Sequence, residues 1–371
     1  MTIGIEASHA NKDKRTGVDE YSWQIINHLK KIIPAEVRVI LYSQTPLIGE
    51  LADLPPNWQS RVLPWPWKLW SQICLSHELW RNMPDVFFAP GQLVPAITPK
   101  NTVTTVHDSA FKVYPKAYRF FSRLYLCLMN KMVLRKSRII LTPSDFSRRE
   151  LKRLYDFDTN RVSVTPLGYN RAIYRKIQIN FEEKNKVLKN IGITKPFFIF
   201  VGRLEQKKNV ANIVRAFDVI KKQYDCALVM VGTPGCGYKE VEKTIEESQN
   251  KSDIILTGWL DSETVAKLYN LAEAMIFTTN YEGFGLPALE AMASCCPVVV
   301  SKGNSLEEVV GDAALVADPK SPDDIASAAL LLISNRDLRN SKILAGMART
   351  ELFSWENTAK LTWQALREAG I

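Results

Sequence analysis

Short apolar runs alternate with amphipathic stretches along the chain, a pattern typical of parallel strands connected by helices. In the first half we predict strands at residues 3–6, 37–42, 86–89, 103–106, 139–142 and 162–165. A polar interval at 170–195, interpreted as a linker, precedes further strands predicted at 197–201, 228–231, 254–257, 275–277 and 298–300. The sequence therefore predicts an α/β protein of two doubly wound Rossmann-like domains with a cleft between them. We place these domains at 1–170 and 171–352, followed by a terminal amphipathic helix at 353–371.

Length and composition agree with this organisation. A chain of 371 residues can give each of two domains its own core. Its hydrophobic content of 46% and charged content of 23% are typical of globular proteins, and it lacks an apolar run of about eighteen residues. The opening residues resemble a strand rather than a signal peptide, and the six cysteines have neither metal-ligand nor redox spacing. We expect a cytoplasmic protein with reduced thiols.

The net charge of +9 is concentrated in one segment. Residues 110–153 contain twelve Lys or Arg against two acids, a local charge of +10, so the remainder sums to −1. Such a patch suits anionic lipid or an acidic substrate. Because no zinc-finger spacing or RNA-binding aromatic motif accompanies it, nucleic acid is not expected as a partner.

The segment 281–294, YEGFGLPALEAMAS, combines glycines, a proline and two glutamates. Gly283 and Gly285 let the backbone approach a ligand closely, and Pro287 suits the first turn of a helix. We therefore expect a helix to begin near Leu286, with its first amides directed at an anion such as a diphosphate.

Glu282 precedes this predicted helix and Glu290 lies one turn inside it. Carboxylates at these places can accept hydrogen bonds from hydroxyls at the two ends of an elongated ligand, and a nucleotide sugar fits this description. The alternative is that Glu282 caps the helix electrostatically and Glu290 is solvated.

The whole segment closely resembles the signature of family 4 of the retaining glycosyltransferases, which have the GT-B fold. The resemblance implies that Glu282 is a catalytic residue that holds the hydroxyls of the donor sugar, and that Glu290 binds the ribose. It places Gly283, Phe284, Gly285 and Leu286 in the donor site.

Two cations follow the predicted strand 197–201. Arg203 and Lys208 could neutralise a diphosphate, or the loop could simply be basic and solvated. The family has an arginine and a lysine at this spacing after the same VGR motif, which implies a donor-binding role for both. Lys207 is a neighbour that could be mistaken for the ligand.

Two motifs in the first half complete the predicted site. His107 ends the predicted strand 103–106, and the resemblance implies that it lies against the donor sugar as a catalytic residue; Asp108 either orients it or starts the next loop. The loop 12–21, KDKRTGVDEY, contains Gly17, and the resemblance implies that Gly17 contacts the donor phosphates. The alternative is that this segment is an ordinary βα loop.

Further loops give weaker signals. The segment 229–237, VMVGTPGCG, lacks the glycine spacing of known phosphate loops. Residues 257–261, TGWLD, match the loop that passes the nucleotide base in the family. Residues 301–319 also match the family. In GT-B proteins the terminal helix crosses back to the first domain.

Two aromatic or basic segments leave alternatives open. Four tryptophans lie within 64–83, where they fill a core or an interface, or else form a surface for lipid headgroups or an acceptor. On the predicted helix 118–138, a stripe formed by Phe121, Leu124, Tyr125, Leu128, Met129 and Met132 is expected to pack on the sheet, leaving a basic face solvated or attracted to anionic membrane.

The resemblance also implies a mechanism. The sugar is transferred with retention, generally discussed as front-face attack, and cations with a helix N-terminus replace a metal, so no cofactor is expected. The overall similarity is to bacterial mannosyltransferases of surface-polysaccharide assembly, with GDP-mannose as donor and a saccharide or polyprenyl-linked saccharide as acceptor. We expect such an enzyme in the cytoplasm, and a peripheral position on the inner face of the plasma membrane is the alternative that its basic helix leaves open.

Two other functions fit the same architecture. One is a sugar-nucleotide epimerase or phosphorylase, which product analysis with and without an alcohol acceptor separates from a transferase. The other is a non-catalytic nucleotide-sugar binding module, which binds donor without turnover.

Overall fold

The computed structural model describes residues 1–15, 17–67, 69–115, 118 and 120–371. Thr16 and Arg119, which we placed in the loop before the first helix and on the basic helix, lie outside the described residues. The chain divides into two compact units. The first comprises Met1–Val113, Arg119–Gly168 and Ser354–Ile371, and the second Tyr114–Tyr118 and Tyr169–Phe353. The interval 170–195 is therefore part of the second unit, and it contains a helix rather than only a linker.

The first unit is built on a parallel seven-stranded sheet in the order β3-β2-β1-β4-β5-β6-β7. Its central strands are buried on both faces, as their apolar sequences predict. Strand β3 was not predicted, because WQSRV mixes polar and apolar residues at the edge of the sheet. The strands are β1 Thr2–Glu6, β2 Arg38–Ser43, β3 Trp58–Val62, β4 Val86–Ala89, β5 Thr102–Thr105, β6 Ser137–Thr142 and β7 Val162–Val164.

Helices cover this sheet. The terminal helix packs here: the Thr358 hydroxyl donates to the Pro166 carbonyl over 2.6 Å, and an Arg138 guanidinium donates to the Ala369 carbonyl over 3.1 Å. The described helices of this unit are α1 Val18–Leu29, α2 Ser76–Arg81, α3 Ala110–Val113, α4 Phe120–Lys136, α5 Asp145–Tyr155 and α14 Trp355–Gly370.

The prediction of which face of α4 packs on the sheet is wrong. Phe121 is 81% exposed, and Leu124 and Leu128 are also exposed, whereas Val133 and Leu134 are buried. Apolar side chains surround this helix, so their spacing alone did not identify the face that the sheet covers.

The tryptophans of 64–83 divide between core and surface. The Trp70 indole is buried and donates to the Leu63 carbonyl over 2.7 Å, and Trp65 packs against the same core. Trp67 and Trp80 are 70% and 65% exposed. Core filling therefore accounts for only part of this segment.

The second unit has a parallel six-stranded sheet in the order β10-β9-β8-β11-β12-β13. Its strands are β8 Phe197–Val201, β9 Ala227–Val231, β10 Ile254–Gly258, β11 Ala274–Phe277, β12 Val298–Ser301 and β13 Leu315–Ala317. Its described helices are α6 Phe181–Ile191, α7 Val210–Lys221, α8 Tyr238–Glu247, α9 Ser262–Leu271, α10 Leu286–Ala293, α11 Ser305–Val310, α12 Pro322–Ser334 and α13 Arg336–Thr350.

Candidate functional site

Helix α10 begins at Leu286, where the sequence predicted it. Gly285 is its N-cap and has a φ of 106°, a left-handed conformation that glycine adopts without strain. A Cβ atom at this position would lie 2.2 Å from the Leu306 Cδ2 atom. The turn between Glu282 and the helix therefore requires glycine for two independent reasons.

The N-terminus of α10 offers unshielded positive charge. Its first turn has no acidic side chain, whereas the first turns of α1, α11 and α12 all have at least one. Within the described part of the chain, the backbone amides of Phe284 and Gly285 have no hydrogen-bond acceptor. Amides in this position at the positive end of a helix dipole can bind an anion.

The start of α11 supports the carbonyl side of this turn. The Ser305 hydroxyl donates to the carbonyls of Glu282 at 2.7 Å and of Phe284 at 3.2 Å. The Asn304 side chain caps Leu306 and also donates to the Thr279 carbonyl over 3.0 Å. We did not single out Asn304 or Ser305, although a capping residue followed three positions later by a glutamate is a recognisable signal.

The loop after β8 brings Lys208 to the signature segment. The Lys208 ammonium forms an ion pair with the Glu282 carboxylate, and the two side chains are only 12% and 17% exposed. It also lies 5.3 Å from the centre of the Phe277 ring. Lys208 is thus held in a partly buried site and is not a solvated loop lysine. The N-cap of α10 is Gly285, and no side chain forms a capping hydrogen bond at this helix start.

Asn209, which sequence reasoning missed, connects the ends of several strands. Its backbone is left-handed with a φ of 59°, and its side-chain amide donates to the carbonyls of Thr278 and Pro319 over 2.9 and 2.6 Å. The backbone amide of Asn280 donates to the backbone carbonyl of Lys207 over 2.9 Å. These bonds fix the loop that carries Lys208 against the loop that carries Glu282.

Arg203 lies in the same loop after β8, but its side chain is exposed. The loop is joined to the predicted 229–237 loop, where the Leu204 amide donates to the Thr233 carbonyl over 3.0 Å. The Gly232 amide in turn donates to the Gly258 carbonyl over 2.8 Å, next to the half-exposed Trp259. The carboxyl ends of β8, β9 and β10 are therefore held together by backbone hydrogen bonds.

Glu290 lies within α10 and is partly buried, so it is not the fully solvated residue of the alternative interpretation. The Tyr269 side chain is fully buried nearby. Its pKa is raised, first by desolvation and then by the negative charge of Glu290. Tyr269 therefore remains a neutral phenol beside this carboxylate.

His107 follows β5 in the first unit and is held by two neighbours. Its Nε2 atom lies 2.9 Å from the Pro90 carbonyl, and its backbone amide donates to the Gln92 side chain over 3.2 Å. Because a carbonyl can only accept, Nε2 carries the hydrogen and Nδ1 is left as the acceptor. Burial lowers the pKa of His107 to about 4, so the ring is neutral at pH 7.

The surroundings of His107 show how Asp108 acts. Tyr21 packs edge-on against the His107 ring at 4.7 Å between ring centres, and its hydroxyl lies 2.9 Å from the Thr105 hydroxyl. The Asp108 carboxylate accepts from the Ala110 amide over 3.0 Å, which starts α3. The negative charge of Asp108 also opposes the lowering of the His107 pKa.

A second histidine in the first unit was missed. The Nδ1 atom of His9 lies 3.0 Å from the Asp19 carboxylate, which also accepts from the Lys12 ammonium over 2.8 Å. A Cβ atom at Gly91 would lie 2.3 Å from the His9 ring, so the ring lies directly over that glycine. His9, Lys12 and Asp19 lie within one segment that runs from the end of β1 into the first turn of α1, whereas Gly91 comes from the loop after β4.

The structure thus brings together Lys208 and Glu282, with Gly283, Phe284, Gly285 and Leu286 in the adjoining turn. Arg203 and Glu290 lie in the same unit, whereas Gly17 and His107 lie in the first unit. Gly17 precedes α1 and has a φ of 52°, but the first turn of α1 contains Asp19 and Glu20. Its role in binding phosphate stays a prediction.

Comparison with known proteins identifies the family of this chain. Residues 16–172 match the model described as glycosyltransferase family 4, and residues 181–346 match glycosyl transferases group 1. The chain is 30% identical over 284 residues to the O-antigen chain mannosyltransferase B of Escherichia coli, covering 76% of this chain and 72% of that protein. It is 24% identical over 320 residues to the O-antigen chain mannosyltransferase RfbU of Salmonella typhimurium, covering 82% and 83%.

The fold is shared with solved structures. Sucrose-phosphate synthase from Thermosynechococcus elongatus superposes with a TM-score of 0.77 at 18% identity, over 99% of this chain and 98% of that one. The predicted GT-B class, with its two Rossmann-like units, is thereby confirmed. The family matches confirm the prediction drawn from the signature segment: the chain belongs to the group 1 glycosyltransferases, family 4, and is a glycosyltransferase enzyme.

Proposed function

We propose that this enzyme transfers mannose from GDP-mannose, with retention and without a metal, to a saccharide or polyprenyl-linked saccharide. The two relatives above are O-antigen chain mannosyltransferases, which supports the choice of sugar and of acceptor class. The observation that carries the proposal is the Lys208–Glu282 ion pair beside an α10 N-terminus that has no acidic side chain in its first turn.

The chemistry requires stabilisation of negative charge on the departing nucleoside diphosphate. Lys208, Arg203 and the amides of Phe284 and Gly285 supply four possible donors in the second unit. A hydrogen bond to a charged group contributes about 1.5–3 kcal/mol, and a helix terminus about 0.3–1 kcal/mol. Lys208 is therefore expected to make the largest single contribution, because it is also the less exposed of the two cations.

Donor binding changes the partner of Lys208 in this proposal. The diphosphate replaces Glu282 as the anion on the lysine, and the carboxylate becomes available to the hydroxyls of the sugar. Glu282 then orients the ring and need not attack it. Glu290, held beside the neutral Tyr269, accepts from the ribose hydroxyls.

Analysis of the reaction products tests this function. The purified enzyme is supplied with a panel of nucleotide sugars and a saccharide acceptor, and the product linkage is determined by NMR with and without EDTA. We expect transfer from GDP-mannose with an α-linkage retained and an unchanged rate in EDTA. Inverted product, or dependence on a divalent metal, contradicts the mechanism; an epimerised nucleotide sugar formed without acceptor supports the epimerase alternative.

His107 is proposed to accept a hydrogen bond from a substrate hydroxyl through Nδ1. Because its folded pKa is about 4 and that of an unfolded histidine about 6.5, the unfolded chain binds more protons between these values. The His107 contribution to the free energy of unfolding is therefore present above pH 6.5 and lost as pH falls towards 4.

Denaturant titration across this range measures that contribution. His107→Gln should flatten the pH dependence of the free energy of unfolding between about pH 6.5 and pH 4, because glutamine does not titrate. The exposed His77 serves as a control, and His77→Gln should leave the dependence unchanged. Identical curves for wild type and His107→Gln would show that this ring titrates normally.

We further propose that the acceptor is reached at an anionic membrane surface. Three residues of the α4 face that was expected to pack on the sheet are exposed, namely Phe121, Leu124 and Leu128. Lys131 and Arg135 are exposed on the same helix. Apolar side chains beside cations match a lipid interface with negative headgroups. In the described residues no helix is long and apolar enough to cross a bilayer.

Flotation with vesicles tests this surface. Phe121→Ser combined with Leu124→Ser should reduce binding to vesicles that contain phosphatidylglycerol by about a hundredfold or more, because two large side chains are no longer buried in the lipid. Leu344→Ser, an exposed leucine of the second unit, is the control. Equal and negligible binding of wild type to anionic and neutral vesicles contradicts the membrane role.

A further inference from the structure

A cavity of about 630 Å³ lies in the first unit, at the amino-terminal ends of its strands, whereas His107 follows the carboxyl end of β5. It is lined by residues that precede strands β5, β6 and β7 or begin them, including Lys100, Ser137 and Asn160. In a parallel sheet these starts share one edge, opposite the carboxyl ends where His107 is found. The cavity is therefore distinct from the proposed sugar-transfer site, although its volume suits a small ligand.

Positive charge dominates its lining. Five cations contribute to the wall against a single carboxylate, that of Glu368; the cations are Lys100, Arg135, Lys136, Arg138 and Arg161. Across the described part of the chain, none of the five has a carboxylate within ion-pair distance. Like charges gathered around one cavity repel each other, so an anion that enters it is stabilised by all of them.

Several of these cations are held in place by uncharged partners. Arg138 donates to the Asn101 side chain over 2.9 Å, and the Arg161 guanidinium donates to the Ser137 carbonyl. Lys136 donates to the Ala96 carbonyl. Burial lowers the pKa of Lys136, and the charge of Arg135 lowers it further. Carbonyl partners orient a cation without neutralising it, which leaves its charge available to a ligand.

We propose that this cavity is a second anion site, separate from the donor site, that binds a phosphate or diphosphate group. Guanidinium groups match phosphate oxygens in pairs, and Lys100 and Arg135, which are both exposed, complete the site from its rim. The phosphate could belong to a soluble molecule or to the headgroup of a lipid. Both present the same oxygens to the same cations.

Calorimetric titration with pyrophosphate tests the soluble source. The variant Lys100→Gln/Arg135→Gln removes two cations that make no hydrogen bond within the described residues, so folding should be retained. Removal of each charge-assisted hydrogen bond to the phosphate should weaken binding about tenfold. The titration is performed in an Arg203→Ala/Lys208→Ala background, so that the proposed donor site does not contribute.

Vesicles with and without phosphatidylglycerol test the lipid source with the same variants. Lys31→Gln, which removes an exposed lysine of the first unit outside the cavity, is the matched control. Loss of pyrophosphate binding in the double variant but not in Lys31→Gln supports a soluble ligand. Loss seen only with anionic vesicles supports a headgroup when Lys100→Gln alone, which leaves the α4 surface unchanged, also shows it. If the Arg203→Ala/Lys208→Ala parent binds neither pyrophosphate nor anionic vesicles, or the control loses as much affinity as the double variant, the site does not exist.

Because the cavity lies in the other unit, these outcomes are independent of donor binding. Loss of sugar transfer in Lys208→Ala with unchanged cavity binding would leave both proposals standing. Absence of cavity binding in an enzyme that still transfers sugar would overturn only this one.

Discussion

Lys208→Ala should lower kcat/KM for the nucleotide sugar by about 10²–10³-fold, as expected when a preorganised donor to developing negative charge is removed. The lysine is partly buried against Glu282 and the Phe277 ring, so its position is set before the donor arrives. Affinity for the free nucleoside diphosphate should fall as well, because the same ammonium contacts the product. Initial rates and calorimetry with nucleoside diphosphate measure the two effects.

Lys207→Ala provides the matched control for this prediction. Lys207 is the adjacent residue in the same 3₁₀ turn, and its ammonium lies 3.8 Å from the Glu205 carboxylate. We expect its loss to change kcat/KM by no more than about threefold, because its ammonium pairs with Glu205 and not with Glu282. Equal losses of kcat/KM in both variants would mean that any positive charge in this loop has the same effect, and that the position of Lys208 beside Glu282 is not important.

Glu282→Gln should reduce kcat by about 10²-fold or more while the affinity for nucleoside diphosphate stays the same or rises. The opposite signs follow from the ion pair. Removing the carboxylate's charge frees Lys208 for the diphosphate, but the sugar loses the charged acceptor that orients it. Turnover and product affinity, measured on one preparation, separate this role from a structural one.

Glu242→Gln is the control, because Glu242 is exposed on α8 and outside the proposed donor site. Its thermal midpoint and turnover should match those of wild type. Two results would contradict the proposal that the diphosphate replaces Glu282 as the partner of Lys208. One is sugar transfer by Glu282→Gln at a near-normal rate, and the other is a loss of nucleoside diphosphate affinity in Glu282→Gln as large as that in Lys208→Ala.

The signature segment could be predicted from sequence because its structure is local. Gly285, Pro287 and the apolar helix that follows specify a turn and a helix start through their own backbone preferences. The central strands were predicted for a similar reason, since burial on both faces demands continuous apolar runs. The family resemblance then supplied the pairing of Arg203 and Lys208 with this turn.

Features that depend on distant residues were not predicted. The exposed face of α4 was misassigned because both faces are apolar, and only the sheet beneath determines which one is covered. Asn209 joins carbonyls from loops about 70 and 110 residues further along the chain. The cavity cations likewise meet through the topology of the sheet, which no sequence spacing records.

The central claim is that the departing diphosphate binds at the start of α10 with Lys208, and a crystal structure of the enzyme with nucleoside diphosphate tests it most directly. The account predicts phosphate oxygens within hydrogen-bond distance of the Gly285 amide and of the Lys208 ammonium, with Glu282 released from the lysine. A diphosphate bound elsewhere, with the Lys208–Glu282 pair intact, would contradict it.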